Sequence, residues 1–231
     1  MNLRRLPVIA AILLAPVVAR AEPHAEYVTQ ENAPKDGIPH VLDVSLLGQY
    51  ARVTDDHPAG LKNLGSFVTR TRLALGRSIT YCAGLDTEVG GSTRGLVYGV
   101  TGYLTGVGAR WGEGNTVSLC GGVGYDGVLH AVPHAVRIPV ELAAAVSLGP
   151  VRPILYLRPS WLVGGREPLG GAPSGFGKEL EAGVVIRLAR QHHYWSTANA
   201  GGGLAVGVAY REFMDTRYLA FSIGVNLVGA Q

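Results

Sequence analysis

Charged residues are few in this chain: Asp, Glu, Lys and Arg make up 16% of its 231 residues, and aromatics only 7%. Long apolar runs are missing too. Beyond residue 21 no stretch approaches the ~18 uninterrupted apolar residues of a membrane-spanning helix, which excludes one from the body of the chain. Yet the mean hydropathy is positive, +0.21, so the apolar residues must be hidden by some other periodicity. The 33 glycines and 13 prolines argue against a helical solution.

Residues 1–21 read as a cleavable signal peptide: Arg4 and Arg5 form a positive start, Leu6 to Val18 an apolar stretch, and Ala19 and Ala21 the small residues before the cut. The chain is therefore expected to be exported. Arg4, Arg5 and Arg20 leave with the leader, which takes the 20 Lys and Arg down to 17, equal to the 17 Asp and Glu. A neutral mature chain gives no electrostatic reason to expect nucleic acid or an anionic membrane surface as partner. Residues 22–40 are polar, proline-containing and unpatterned, and are expected to form a mobile periplasmic lead.

The body of the chain alternates. Ile79, Tyr81, Ala83, Leu85, Thr87 and Val89 oppose Thr80, Cys82, Gly84, Asp86, Glu88 and Gly90, the two-residue period of a strand with one apolar face. The same pattern recurs in ten segments, at about 42–53, 66–76, 79–90, 95–109, 116–128, 135–148, 151–163, 179–190, 196–211 and 217–228. Each is at least as long as a tilted strand crossing a bilayer, ~9–11 residues, whereas strands in soluble domains average nearer five or six. Most connections of one set are short, such as 76–78 and 149–150; the other set holds the two longest, 54–65 and 164–178. Pro139, Pro153 and Pro159 fall inside segments and predict a bulge or a broken rung, because proline cannot donate to the ladder.

In these features the chain resembles a small bacterial outer-membrane β-barrel protein, a likeness of class that covers nearly all of residues 40–231. It departs from many members in ending NLVGAQ without a terminal aromatic residue. The resemblance implies an all-β fold: a closed antiparallel up-and-down transmembrane β-barrel of about ten strands over residues 41–231, eight if the proline-bearing segments do not both insert. It also implies a Gram-negative outer-membrane location, outer-membrane lipid as surroundings, and a monomer without cofactor or metal.

With the polar parity turned inward, the lumen carries the acids Asp43, Asp86, Glu88, Asp126, Glu141 and Glu181 and the bases Arg70, Arg72, Arg137, Arg152, Arg158, Arg187 and Arg211. That near balance points to paired charges filling a narrow interior, where a one-signed ring would mark a selective pore. Cys82 and Cys120 share the inward parity on non-adjacent strands. A lumen-crossing disulfide and two free buried thiols both remain open. Trp111, Trp161, Tyr194 and Trp195 read as interfacial aromatics.

The stretch CGGVGYDG holds G-x-G-x-x-G at Gly122, Gly124 and Gly127. It keeps strand alternation with no helix following, so no nucleotide site is expected. His57 beside Asp55 and Asp56, and His130 with His134, lie in expected loops without metal-ligand spacing. The expected role is a structural or surface-exposed membrane component and not an enzyme, its loop partner left open. The alternatives are a narrow, porin-like channel for small polar solutes, a lipid hydrolase around His57 and Ser66, and a soluble periplasmic β-barrel or sandwich that binds a ligand.

Overall fold

The computed structural model describes residues 40–54, 63–76, 79–92, 95–111, 115–128, 134–146, 148, 151–166, 175–191, 199–213 and 216–230. They form ten strands: β1 (His40–Val53), β2 (Asn63–Leu75), β3 (Ile79–Ser92), β4 (Gly95–Trp111), β5 (Asn115–Val128), β6 (His134–Ala145), β7 (Val151–Arg166), β8 (Gly175–Gln191), β9 (Asn199–Phe213) and β10 (Thr216–Ala230). Each pairs antiparallel with the next, and β10 returns to pair with β1, so the sheet closes into a barrel. The number is ten, not eight, since both proline-bearing segments are strands of the wall.

The alternating segments locate these strands to within a few residues; β6 ends three residues earlier than expected, β2 starts three earlier and β8 starts four earlier. The expected leader, most of the lead, His57, His130, Tyr194 and Trp195 lie outside the described residues. One rim carries His40 and Ala230 and is called the termini rim below. The other, the loop rim, carries the two longest connections.

Two of the three prolines interrupt the ladders. Pairing of β5 with β6 lapses between Gly121/Val140 and Gly124/Arg137, around Pro139, and pairing of β6 with β7 lapses between Pro139/Ser160 and Leu142/Leu157, around Pro159. Each lacks the N–H that a continuous rung requires. Pro153 breaks nothing: it keeps its place opposite Val184, and its carbonyl accepts the Val146 N–H at 3.1 Å.

A different irregularity lies in β4. Opposite β5 the register jumps from Tyr103/Gly122 to Thr105/Gly121, which leaves Leu104 without a partner. Tyr103 is buried inside, Leu104 and Thr105 are both exposed, and the inward row resumes at Gly106. The bulge thus moves the inward row from odd to even positions, a change that strict alternation hides. The Tyr81 hydroxyl donates to the Leu104 carbonyl, which satisfies an acceptor freed by the bulge.

Where β10 meets β1, Gly224 sits against Leu47. A Cβ there would fall on the Leu46 carbonyl oxygen and 2.8 Å from the Leu47 Cα, both backbone atoms. At Gly65, by contrast, a Cβ meets nothing within 4 Å. Gly224→Ala is expected to destabilise the barrel by about 1–3 kcal/mol, the usual cost of overpacking, while Gly65→Ala leaves it near neutral. Urea unfolding in detergent, followed by tryptophan fluorescence, measures both; equal midpoints would contradict the seam constraint.

Candidate functional site

The inward rows converge on the lumen, and Glu141 of β6 is their hub, with none of its surface exposed. From neighbouring β7, Arg158 Nε donates to Glu141 Oε2 at 2.6 Å. From β2, four strands away round the wall, Arg72 Nε and Nη2 donate to Oε1 and Oε2 at 2.9 and 2.6 Å. The same guanidinium grips Asp86 of β3 with both Nη atoms, at 2.5 and 3.0 Å. Its flat face lies 4.5 Å from the Tyr103 ring centroid. One arginine therefore meets two carboxylates and an aromatic face, a task that suits its planar fork and not an ammonium.

Three further groups tie the walls. Arg137 of β6 donates to Asp126 of β5 at 2.6 Å and to Thr101 of β4 at 2.9 Å. Arg211 of β9 reaches Glu88 of β3 at 2.8 Å, and Ser66 supplies a second hydrogen bond to that carboxylate at 2.9 Å. Towards the termini rim, Arg152 of β7 meets Asp43 of β1 at 3.2 Å, while Asn226 donates to Asp43 and Ser45 at 2.6 and 3.0 Å. Arg158 and Arg70 lie 4.5 and 5.5 Å from the Tyr156 ring centroid. Eleven of the thirteen charged positions expected in the lumen are thus placed by side chain. Glu181 and Arg187 stand in β8 opposite Tyr156 and Gly203 respectively.

The interior is less uniformly polar than the alternation suggests. Leu47, Val68 and Ala205 form a buried cluster joined by Ile154 of β7. Nearer the loop rim Ala51, Leu64, Ala209, Tyr218 and Ala220 form another, with Val53 and Val97 against it. Apolar side chains on the charged parity of β1, β2 and β7 escape a reading that sorts faces by polarity alone. Tyr103 escaped for another reason, because the β4 bulge disguises its face. Tyr156 and Asn226 were not singled out either, although they share the parity of charged or polar neighbours, the signal that would have found them.

Glycines make room for the arginines. A Cβ on Gly84 would lie 2.8 Å from Arg72 Cδ, and one on Gly124 would lie 3.0 Å from Arg137 Nε. Gly127, on the outer face, is covered by Tyr98, whose hydroxyl oxygen would be 2.8 Å from an added Cβ. The G-x-G-x-x-G spacing therefore serves packing on both faces of one continuous strand, Asn115–Val128.

Cys82 of β3 and Cys120 of β5 are joined by a disulfide, with Cα atoms 6.6 Å apart. Two strand spacings in a flat sheet would separate them by ~9.5 Å, beyond the reach of a bridge. Two features bring them together. The β4 bulge lies beside them, and the residue beneath the bridge is Gly106, where an added Cβ would be 2.7 Å from Cys120 Sγ and would also collide with Cys82 Sγ. In the loop-entropy picture, cross-linking across 38 residues stabilises by about 4 kcal/mol. Of the expected interfacial aromatics, Trp111 is exposed at the termini-rim end of β4, and Trp161 is exposed in the half of β7 nearer the loop rim. Among the described residues no three His, Cys, Asp or Glu are arranged to hold a metal ion.

No family model matches the chain, and no curated protein matches it. Among solved structures the barrel is similar to the translocator domain of autotransporter NalP from Neisseria meningitidis, with a TM-score of 0.42 and 12% identity over 94% of this chain and 96% of that one.

Glu141→Gln leaves Arg72 and Arg158 facing a neutral amide at a fully buried position. Removing one partner of such a buried pair is expected to cost about 3–5 kcal/mol. Equilibrium unfolding in detergent against the parent protein reads this directly, and a loss under about 1 kcal/mol, the surface-pair range, would show that the cluster does not hold the walls.

Proposed function

We propose that this chain is an integral protein of the bacterial outer membrane, exported by residues 1–21 and inserted as a monomeric barrel over residues 41–231. One observation carries the reading: all ten strands present large apolar side chains outward, exposed, while the charged side chains gather inside. Leu42, Phe67, Leu85, Val100, Leu119, Leu142, Leu157, Ile186, Val206 and Ile223 each stand on a different strand, between 36% and 60% exposed. Water disfavours so large an uninterrupted oily surface. Hydrocarbon accepts it, provided the sheet has no open edge, which closure of the barrel ensures. In a soluble barrel that binds a ligand these rows would face a core.

The interior supports a structural or surface-exposed role over a solute path. Arg72, Arg152 and Arg211 each reach a carboxylate on a wall four strands away, and the charges neutralise one another in place of forming a one-signed ring. No cofactor and no catalysis enter this reading.

The mature protein is expected to sediment with outer membranes and to run faster on a gel before boiling than after; mobility unchanged by heat together with release into the soluble periplasm defeats the proposal. In a planar bilayer it should remain silent, and reproducible conductance steps would replace the closed interior with a channel. Ile223→Arg, at the middle of β10, is expected to cost about 2–4 kcal/mol in lipid vesicles, measured by urea unfolding.

A further inference from the structure

Among the charged residues whose side chains are described, two are exposed, Arg52 and Arg217, and they stand together. Arg52 lies one residue from the end of β1, and Arg217 is the second residue of β10, both at the loop rim. Arg52 faces Leu219 in register, so Arg217 is its diagonal neighbour on the same face, ~7–8 Å away between Cα atoms. The rung is held by Thr54, whose N–H and hydroxyl both donate to the Arg217 carbonyl, at 2.8 and 3.1 Å. Glu212 stands opposite Arg217 on β9, which leaves one net positive charge across three neighbouring strands.

The wall below this pair is graded. Two residues deeper than Arg52 on β1 and four deeper than Arg217 on β10, Tyr50 and Phe221 face each other directly, 52% and 55% exposed. The next rung pairs Gly48 with Ile223. Gly48 is exposed, and the nearest atom to an added Cβ is the Ile223 carbonyl oxygen at 3.7 Å. The missing side chain leaves a notch in the wall beneath the aromatic pair, with Leu46 and Val225 beyond it.

The geometry points to a lipid-binding site on this seam that takes a phosphate-bearing lipid: its phosphate between Arg52 and Arg217, its glycerol or sugar against Tyr50 and Phe221, and an acyl chain over the notch at Gly48. Two guanidinium forks at this spacing suit one tetrahedral anion, and cations on the outer wall are tolerated at the interface though not at the midplane. The exposed aromatic pair and the apolar rungs below it favour a lipid over a free anion, since phosphate alone has no use for them. The neutral net charge of the mature chain does not oppose this, because the asymmetry is local. The site rests on the membrane reading above and names the lipid chemistry at one place on it.

The test uses the protein extracted in mild detergent and moved into phosphatidylcholine nanodiscs doped with phosphatidic acid, with retained lipid counted by native mass spectrometry. The parent barrel should keep phosphatidic acid over phosphatidylcholine, and R52Q/R217Q should reduce that preference by about tenfold. R52K/R217K, which keeps the charge but loses the fork, should fall between them. Heat-dependent mobility verifies that each variant is folded. Equal retention of both lipids by the parent, or an unchanged preference in R52Q/R217Q, would falsify the site, as would complete displacement by inorganic phosphate at matched concentration. A barrel that does not enter nanodiscs overturns the membrane reading and this one together; one that enters without lipid preference overturns this one alone.

Discussion

Strand β1 pairs with β10 along every residue from Val41 to Val53, and the rest of the structure depends on that seam. A ten-stranded sheet left open would carry two rows of unpaired N–H and C=O groups, which water can hydrate and hydrocarbon cannot. Once the seam is made, the wall has no edge, and its two faces become an outside and an inside. Sorting of side chains by parity then has its full effect: the apolar rows form a continuous outer belt and the charged rows are confined together.

Confinement explains the form of the charge network. A guanidinium taken out of water is costly unless its donors are met, and the neighbouring strand does not always offer a carboxylate. Arg72 solves this by spanning the lumen to Glu141 while holding Asp86 beside it. The long side chains require space next to them, and Gly84 and Gly124 provide it. Glycine in these strands is thus less a source of flexibility than a means of fitting large ions into a narrow tube.

Most of the fold was legible because a transmembrane-length strand repeats its two-residue signal many times over. The stripe from Leu219 to Leu227 specifies both the strand and its outer face. Eleven charged positions were legible for the same reason, since parity tells which way each points. Parity says nothing of which partner lies across the lumen, because that depends on strand tilt and on side-chain reach; the pairing of Arg152 with Asp43, 109 positions apart, has no local signature. The bulge at Leu104 was hidden, as one extra residue in a run of small and apolar side chains leaves the composition of both faces almost unchanged. The cysteine pair stayed undecided because the sheet spacing that argues against a bridge holds only for a regular sheet, and β4 is not regular at that level.

Position 106 links these observations to inheritance. The bridge between Cys82 and Cys120 passes over it, so the two sulfurs and the bare α-carbon beneath them form a single unit, although the three residues belong to three strands. Loss of either sulfur does not by itself free site 106, because the backbone carbonyl of Leu119 still lies 2.6 Å from where a methyl carbon would sit. Wherever both sulfurs persist in that arrangement, the site is bound to stay empty.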